Sequence, residues 1–196
     1  VGTSPGQYRI PNSVIRTLHW EYLQKFLEES GIEFNTDLLH KAIHEMASMG
    51  EVDTLKELAV DFFYNRLSSF DFANLSEKHI KFFFVSYFTL SNFYNVVSER
   101  EIGQRKKIDL LFEAHPAYYN YILYNYIVEL KYIKKTDTTE EATQKRNDAI
   151  SQAKEYYEIY KRDFKQFGRE LKSLALIVSH TREVEMIKLC GFTQNN

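Results

Sequence analysis

The chain has 196 residues, of which 44% are hydrophobic and 27% are charged. These proportions are typical of a globular protein and exclude a disordered or collagen-like chain. The net charge of −2 excludes a nucleic-acid binder that depends on an overall positive field, but it permits a local basic patch. Aromatic residues make up 15% of the chain, while Gly (7) and Pro (3) are scarce, so we expect long regular elements around a substantial core.

The single cysteine, Cys190, excludes an internal disulfide framework and a zinc site built from several cysteines. It fits a reducing, cytoplasmic location. No apolar run approaches the roughly 20 residues that span a bilayer, and the N-terminus lacks the apolar segment of a signal peptide, so we expect no membrane partner. Because the chain begins with Val1 rather than Met, we expect it to be part of a longer protein.

The first part of the chain is predicted to be helical. Apolar residues recur there every three or four positions, which is the period of an amphipathic helix. Asn35 precedes the second of three such stretches and Gly50 follows it, as start and stop signals do. A fourth helix is predicted to begin at Ser76. The first three stretches are marked by Ile15, Leu18, Tyr22 and Phe26, by Leu39, Ile43 and Met46, and by Leu55, Leu58 and Phe62.

Beyond residue 94 the pattern changes to short runs of β-branched and aromatic residues, which are typical of strands. Thr138 followed by Glu141 predicts a capping box that begins a long helix, and Gly168 predicts its end near residue 167. The run at 184–189 fits a strand or a helix. After the N-terminal helices the predicted order is therefore αβββαβ, a mixed α/β domain. The predicted strands lie at 94–98, 108–112, 124–133 and 174–179.

Three charged residues interrupt two of the apolar strands. Asp109 lies within one, and Glu129 and Lys131 lie on the same face of the other, because strand side chains alternate. If the strands pair, the three charges converge. Two carboxylates can then hold a hard divalent cation, and the lysine can orient or deprotonate an attacking water or stabilise charge on a phosphate. The alternative is an ion network on an edge strand without chemistry.

The same tripeptide occurs a second time, as Glu170-Leu171-Lys172. It follows Gly168 closely and no acidic residue interrupts an apolar strand before it. We interpret this copy as a solvated pair between a helix end and a strand. The first copy owes its significance to its strand context and to Asp109.

Three other features flank the predicted site. Glu77 opens the helix before the first strand, where its carboxylate can reach the strand ends or simply favour the helix dipole. Gln152 lies on the long helix, one turn before Tyr156, and is either a site residue or a surface amide. A basic cluster can bind phosphates, although charged runs are often only solvated. Its members are Arg100, Arg105, Lys106, Lys107, Lys134 and Lys135.

These residues resemble a known family. The αβββαβ order, with Asp109, the Glu129-x-Lys131 triplet and Gln152 on the following helix, is similar to the PD-(D/E)XK nuclease superfamily. More narrowly, the chain resembles a bacterial group in which a nuclease-like domain follows an AAA-ATPase-like domain. The narrower resemblance rests on Tyr-Arg-Ile-Pro-Asn-Ser-Val at 8–14, on 49–53, on Ser98-Glu99 with 103–109, and on 148–152 with Tyr156. Lys106-Lys107 departs from the Gly-Arg of that group.

The resemblance implies a restriction-endonuclease-like core at 76–196, preceded by a helical linker or subdomain at 1–75. It implies a nuclease that depends on Mg²⁺ or Mn²⁺, acts on DNA and forms the C-terminal part of a larger ATPase-associated bacterial protein. A catalytically silent nucleic-acid-binding or protein-interaction module with the same fold is the alternative. The implied metal ligands are Asp109, Glu129, the Leu130 carbonyl and Glu77; the implied catalytic residues are Asp109, Glu129, Lys131 and Gln152; and the implied nucleic-acid contacts are Arg105, Lys106, Lys107, Lys134 and Tyr156.

Overall fold

A computed structural model describes residues 35–67, 75–89, 93–103, 106–163 and 168–192, together with positions 18, 21 and 25. The chain divides into two compact units, Val1–Phe34 and Asn35–Asn196, and every element below belongs to the second. The first predicted helix and the motif at 8–14 lie outside the described ranges, apart from those three helical positions. The division predicted between residues 75 and 76 stays a prediction.

Within the ranges described from residue 35 onward, three helices precede the sheet. Helix α1 is Thr36–Ser48, α2 is Asp53–Val60 and continues into the π-helical turn Asp61–Arg66, and α3 is Glu77–Thr89. The Asn35 side chain accepts a hydrogen bond from the Leu38 N–H at 3.0 Å, which caps α1 as predicted. Gly50 follows α1 with φ +73°, a conformation that favours glycine. The predicted helices in this part of the chain are therefore confirmed.

In the part of the chain that the structure describes, five strands form one sheet in the order β1-β2-β3-β4-β5. Neighbours are antiparallel except β3 and β4, which are parallel and are joined by the long helix α4. A parallel pair needs such a crossover. The mixed α/β fold that the sequence predicts is therefore confirmed. The elements are β1 Tyr94–Ile102, β2 Lys106–Ala114, β3 Tyr124–Ile133, α4 Thr139–Asp163, β4 Glu170–Ser179 and β5 Val184–Lys188.

Helix α4 begins at the predicted capping box. The Thr138 N–H donates to Glu141 Oε2 at 2.8 Å, and the Glu141 N–H donates to Thr138 Oγ1 at 3.2 Å. These bonds satisfy N–H groups that the first helical turn leaves unpaired. Residues 164–167, at the predicted end of the helix, lie outside the described ranges.

Strand β4 corrects one interpretation of the sequence. It begins at Glu170 because its parallel register with β3 starts at the pair Tyr124↔Glu170. Lys172 therefore lies inside the strand and is only 6% exposed. Its Nζ lies 4.5 Å from the centre of the Tyr124 ring and 4.3 Å from that of Phe192. The interpretation of Glu170-Leu171-Lys172 as a solvated pair is wrong for the lysine.

The sheet is covered by helices on both faces. Tyr126 faces α1, where its hydroxyl donates to the Met46 carbonyl at 2.7 Å. The next residue of β3, Ile127, points to the other face and packs in a core cluster with Tyr156 of α4. The rings of Phe88 in α3 and Phe112 in β2 lie 4.8 Å apart. No helix in the described residues is both long and apolar enough to cross a membrane.

Candidate active site

The predicted charged residues meet where strands β2 and β3 separate. The pairing between the two strands covers only Phe112↔Tyr126, Leu111↔Ile127 and Leu110↔Val128. The next positions along each strand are Asp109 and Glu129. Asp109 Oδ2 accepts a hydrogen bond from the Leu130 N–H at 3.0 Å, so this side chain satisfies a backbone group beyond the paired segment. We call this place the fork.

Glu129 is the most buried charged residue of the fork, with 3% of its surface exposed. Its Oε1 accepts a hydrogen bond from Lys131 Nζ at 2.7 Å. Among the described residues, its Oε2 is the one buried side-chain oxygen or nitrogen without a hydrogen-bond partner. Burial and then the neighbouring Asp109 carboxylate raise the pKa of Glu129 to about 8, although Lys131 opposes the shift.

Lys131 bridges the groups of the fork. Its Nζ donates to the Leu130 carbonyl at 3.2 Å and lies 3.9 Å from Asp109 Oδ2. Burial is the largest influence on its pKa and lowers it, but the hydrogen bond to Glu129 and the nearby carboxylates outweigh burial and raise the pKa overall. Lys131 is therefore held as an ammonium ion. That charge state suits the stabilisation of negative charge.

The structure adds Lys81, which is not among the predicted site residues. Its Nζ lies 2.6 Å from Asp109 Oδ1 and 3.6 Å from Glu99 Oε1. The side chain reaches the fork from α3. A signal was present in the sequence, because Lys81 follows Glu77 by four positions and so shares its face of the helix.

Glu77 lies at the first turn of α3 and reaches the end of β3. Its Oε1 accepts a hydrogen bond from the Tyr132 N–H at 3.2 Å. The charge of Glu77 also helps to raise the pKa of Lys81 and of Lys131, after stronger influences from burial and from closer carboxylates. Glu77 is thus close enough to contribute to the field of the fork.

Two predicted residues lie on α4. Gln152 is half-buried, one turn before Tyr156. Tyr156 is 8% exposed and packs in the core cluster that includes Ile127 and Leu111. Burial, and after it the charges of Glu129 and Asp109, raise the pKa of Tyr156. Its ring therefore lies beneath the fork as part of the core.

The predicted basic residues differ in their surroundings. Arg105 lies outside the described ranges. Lys106 forms an ion pair with Glu155, and Lys107 Nζ lies 3.7 Å from Glu99 Oε2. Lys134 is exposed just after β3, where its backbone N–H donates to Asp137 Oδ2 at 2.7 Å. Lys106, Lys107 and Lys134 thus lie at or just beyond the ends of the strands that carry the fork.

The fork can be tested for its fit to a metal ion. Within the described ranges, no group of three or more His, Cys, Asp or Glu side chains is placed to hold one. Asp109 and Glu129 supply two carboxylates, and Glu129 Oε2 has no hydrogen-bond partner among the described residues. Mg²⁺ in proteins is commonly held by one or two carboxylates, with waters and substrate phosphates completing its shell. The two residues fit an ion of that kind.

Asp109 and the Glu129-x-Lys131 triplet thus lie together at a strand fork, in a sheet whose parallel strands β3 and β4 are joined by α4. The family model of the PD-(D/E)XK nuclease superfamily matches residues 75–187, more than half of the chain. The chain therefore belongs to that superfamily, and the predicted resemblance is confirmed at this level. Neither the curated proteins nor the solved structures gave a significant match.

Proposed function

We propose that this chain is a divalent-metal-dependent nuclease that hydrolyses phosphodiester bonds in DNA. The observation that carries the proposal is Glu129 Oε2, which is buried beside Asp109 without a hydrogen-bond partner. Such atoms are rare in native proteins because leaving one unpaired is costly. A hard divalent cation is a partner that suits a carboxylate oxygen.

In this proposal Asp109 and Glu129 hold Mg²⁺ or Mn²⁺. The ion, when bound, supplies Lewis-acid stabilisation of negative charge on the phosphate. The Leu130 carbonyl and Glu77 are further ligands. Each already accepts one hydrogen bond, from Lys131 Nζ and from the Tyr132 N–H respectively, and each keeps a further lone pair for an ion.

The remaining residues act on the substrate and on the attacking water. Lys131 positions the water and stabilises charge that develops on the phosphate. Gln152 orients the substrate or the surroundings of Lys131. Arg105, Lys106, Lys107 and Lys134 contact backbone phosphates, so binding weakens as the salt concentration rises. Because Tyr156 is buried, it supports the fork from below and does not stack on a base.

We also propose that the chain is the C-terminal part of a larger, cytoplasmic bacterial protein with an AAA-ATPase-like domain. The segment 8–14, which resembles the junction between two such domains, supports this proposal. The coding sequence upstream of Val1 tests it. An upstream ATPase-like domain is the expected finding, and an unrelated sequence contradicts the proposal.

One observation favours a second candidate, a silent binding module. Lys81 lies 2.6 Å from Asp109 and Lys131 lies 2.7 Å from Glu129, so two ammonium groups already compensate the two carboxylates. An ion-pair network of this kind can be purely structural. In that case the fork binds no ion and cleaves no nucleic acid.

Cleavage and calorimetry distinguish the two candidates. Single- and double-stranded DNA and RNA are incubated with the protein in Mg²⁺, in Mn²⁺ and in EDTA, and Mn²⁺ is titrated with and without an oligonucleotide. Asp109→Asn is the test variant, because it keeps the shape and the hydrogen bond to the Leu130 N–H. Metal-dependent DNA cleavage that this variant loses supports the nuclease. Absence of both cleavage and Mn²⁺ binding, even with oligonucleotide, supports the silent module.

A further inference from the structure

Both carboxylate oxygens of Asp109 have a close partner in the described structure. Its Oδ1 lies 2.6 Å from Lys81 Nζ, and its Oδ2 accepts from the Leu130 N–H at 3.0 Å. A cation that binds Asp109 at Oδ1 therefore competes with the Lys81 ammonium. The two cations repel each other strongly over a few ångströms, so metal binding at this oxygen is weakened while the Lys81 ammonium stays in contact with it.

A second carboxylate is placed to receive Lys81. Glu99 Oε1 lies 3.6 Å from the same Nζ, and the Glu99 side chain is 53% exposed. Ser98↔Leu110 and Arg100↔Ile108 are paired across β1 and β2, so Glu99 is level with Asp109. Lys81 can thus shift between two carboxylates without losing an ion pair.

The backbone at Glu99 is strained in a way that is consistent with this role. Its φ is +55°, which is uncommon for a residue other than glycine and strains the backbone. Such strain persists where the surroundings enforce it, and it clusters at functional sites. Here it lies at the one position of β1 that faces Asp109.

We propose that Lys81 is a positioning residue that holds Asp109 while no metal is bound and moves onto Glu99 when a divalent cation binds. This inference rests on the proposed function, since it requires a metal at the fork. It assigns Glu99 a role that does not involve the ion directly. Glu99 assists metal binding by accepting the displaced ammonium group.

A double-mutant cycle on Mn²⁺ affinity tests the proposal. The full chain, Lys81→Met, Glu99→Gln and the double variant are titrated with Mn²⁺ by calorimetry, after circular dichroism has established that each is folded. Lys81→Met is expected to bind Mn²⁺ about tenfold more tightly, because the competing cation is gone. Glu99→Gln is expected to bind about fivefold more weakly, and the double variant is expected to match Lys81→Met within about twofold.

Lys78→Met is the matched control, since Lys78 is an exposed lysine of the same helix. This variant is expected to leave the Mn²⁺ affinity unchanged. If Lys78→Met raises the affinity as much as Lys81→Met does, the proposal is overturned, because the effect then comes from the total charge of the protein. Unchanged or weaker affinity of Lys81→Met also overturns it. If Glu99→Gln weakens Mn²⁺ binding equally with and without Lys81, the proposal is also overturned, because Glu99 then acts on the ion itself.

The Glu99→Gln arm keeps the proposal testable if Lys81→Met does not fold. Unchanged affinity of Glu99→Gln in the presence of Lys81 is then sufficient to overturn it. If none of these proteins binds Mn²⁺, even with an oligonucleotide present, the proposed metal site fails and this inference fails with it. If the parent chain binds Mn²⁺ and the cycle shows no coupling, only this inference fails.

Discussion

The chain contains the tripeptide Glu-Leu-Lys twice, on neighbouring parallel strands, and the two copies have opposite properties. In β3, Glu129 is buried and Lys131 is held by carboxylates. In β4, Glu170 is exposed and Lys172 is buried between two aromatic rings. Burial and then the Asp109 carboxylate raise the pKa of Glu129 to about 8, whereas burial lowers the pKa of Lys172.

The difference comes from the strands beside each copy. Strand β3 separates from β2 next to Glu129, and this opens room for Asp109 and for a side chain from α3. Around Lys172, β4 keeps its pairing with β3, and no carboxylate in the described residues lies within ion-pair distance of Lys172. The local geometry of the sheet, and not the tripeptide, decides which copy can carry chemistry.

The largest expected effect separates the two lysines by activity. Lys131→Met is expected to lower metal-dependent DNA cleavage by about 100- to 1,000-fold, the loss typical when one preorganised charge-stabilising group is removed. Lys172→Met, which removes the same charge from the second copy, is expected to keep cleavage per folded molecule within about twofold of the parent chain, because Lys172 lies outside the fork. Single-turnover cleavage measures both. Equal losses contradict the distinction between the copies.

The next largest effect is expected at Glu129, in the dependence of the free energy of unfolding on pH. Burial and the Asp109 carboxylate raise the pKa of folded Glu129 to about 8, whereas an unfolded glutamate has its ordinary pKa of 4.5. Between these values the folded state binds more protons, so this group makes the free energy of unfolding fall as pH rises. Glu129→Gln is expected to remove that fall. Thermal unfolding in EDTA at pH 5, 7 and 9 tests this expectation. If the stability of the parent chain and that of the variant change with pH to the same extent, the raised pKa of Glu129 is contradicted.

A smaller effect is expected at the aromatic surroundings of Lys172. Gly50 has φ +73°, and a Cβ there would lie 2.6 Å from Lys172 Cε and 3.0 Å from Tyr124 Cζ. Gly50→Ala is expected to lower the free energy of unfolding by about 1–3 kcal/mol through strain and crowding. Urea denaturation measures the change, and cleavage by the folded fraction is expected to persist. A variant as stable as the parent chain contradicts this packing.

The smallest effect is expected at Glu170. Glu170→Gln changes an exposed side chain at the start of β4, so the free energy of unfolding is expected to stay within about 0.5 kcal/mol of the parent value. This variant is the counterpart of Glu129→Gln, and urea denaturation at pH 7 compares the two. A large loss at Glu170 would show that the second copy has a structural role of its own.

Much of the fold follows from local sequence signals. The cap at Asn35, the stop at Gly50 and the capping box of Thr138 and Glu141 each act within a few residues, so periodicity and capping locate them. The start of β4 was misplaced because its first residues owe their strand conformation to pairing with β3. The run at 184–189, which fits a strand or a helix by sequence, forms β5 over Val184–Lys188 because pairing with β4 defines it.

The fork was predictable in part. Asp109, Glu129 and Lys131 interrupt apolar strands, and burial of charge inside a strand is a signal that a single sequence carries. Lys81 was missed because its contact with Asp109 joins a helix to the second strand along the chain. The strain at Glu99 was equally hidden, because it depends on pairing between β1 and β2. Helix periodicity from Glu77 would have suggested Lys81.

The central claim is that Asp109 and Glu129 together hold a divalent cation at the fork. Anomalous diffraction from crystals of the chain grown with Mn²⁺ and an uncleaved oligonucleotide tests this claim most directly. The account predicts an anomalous peak about 2.0–2.3 Å from a carboxylate oxygen of each residue. A structure in which Lys81 and Lys131 still pair with both carboxylates at saturating Mn²⁺, with no peak at the fork, would contradict it.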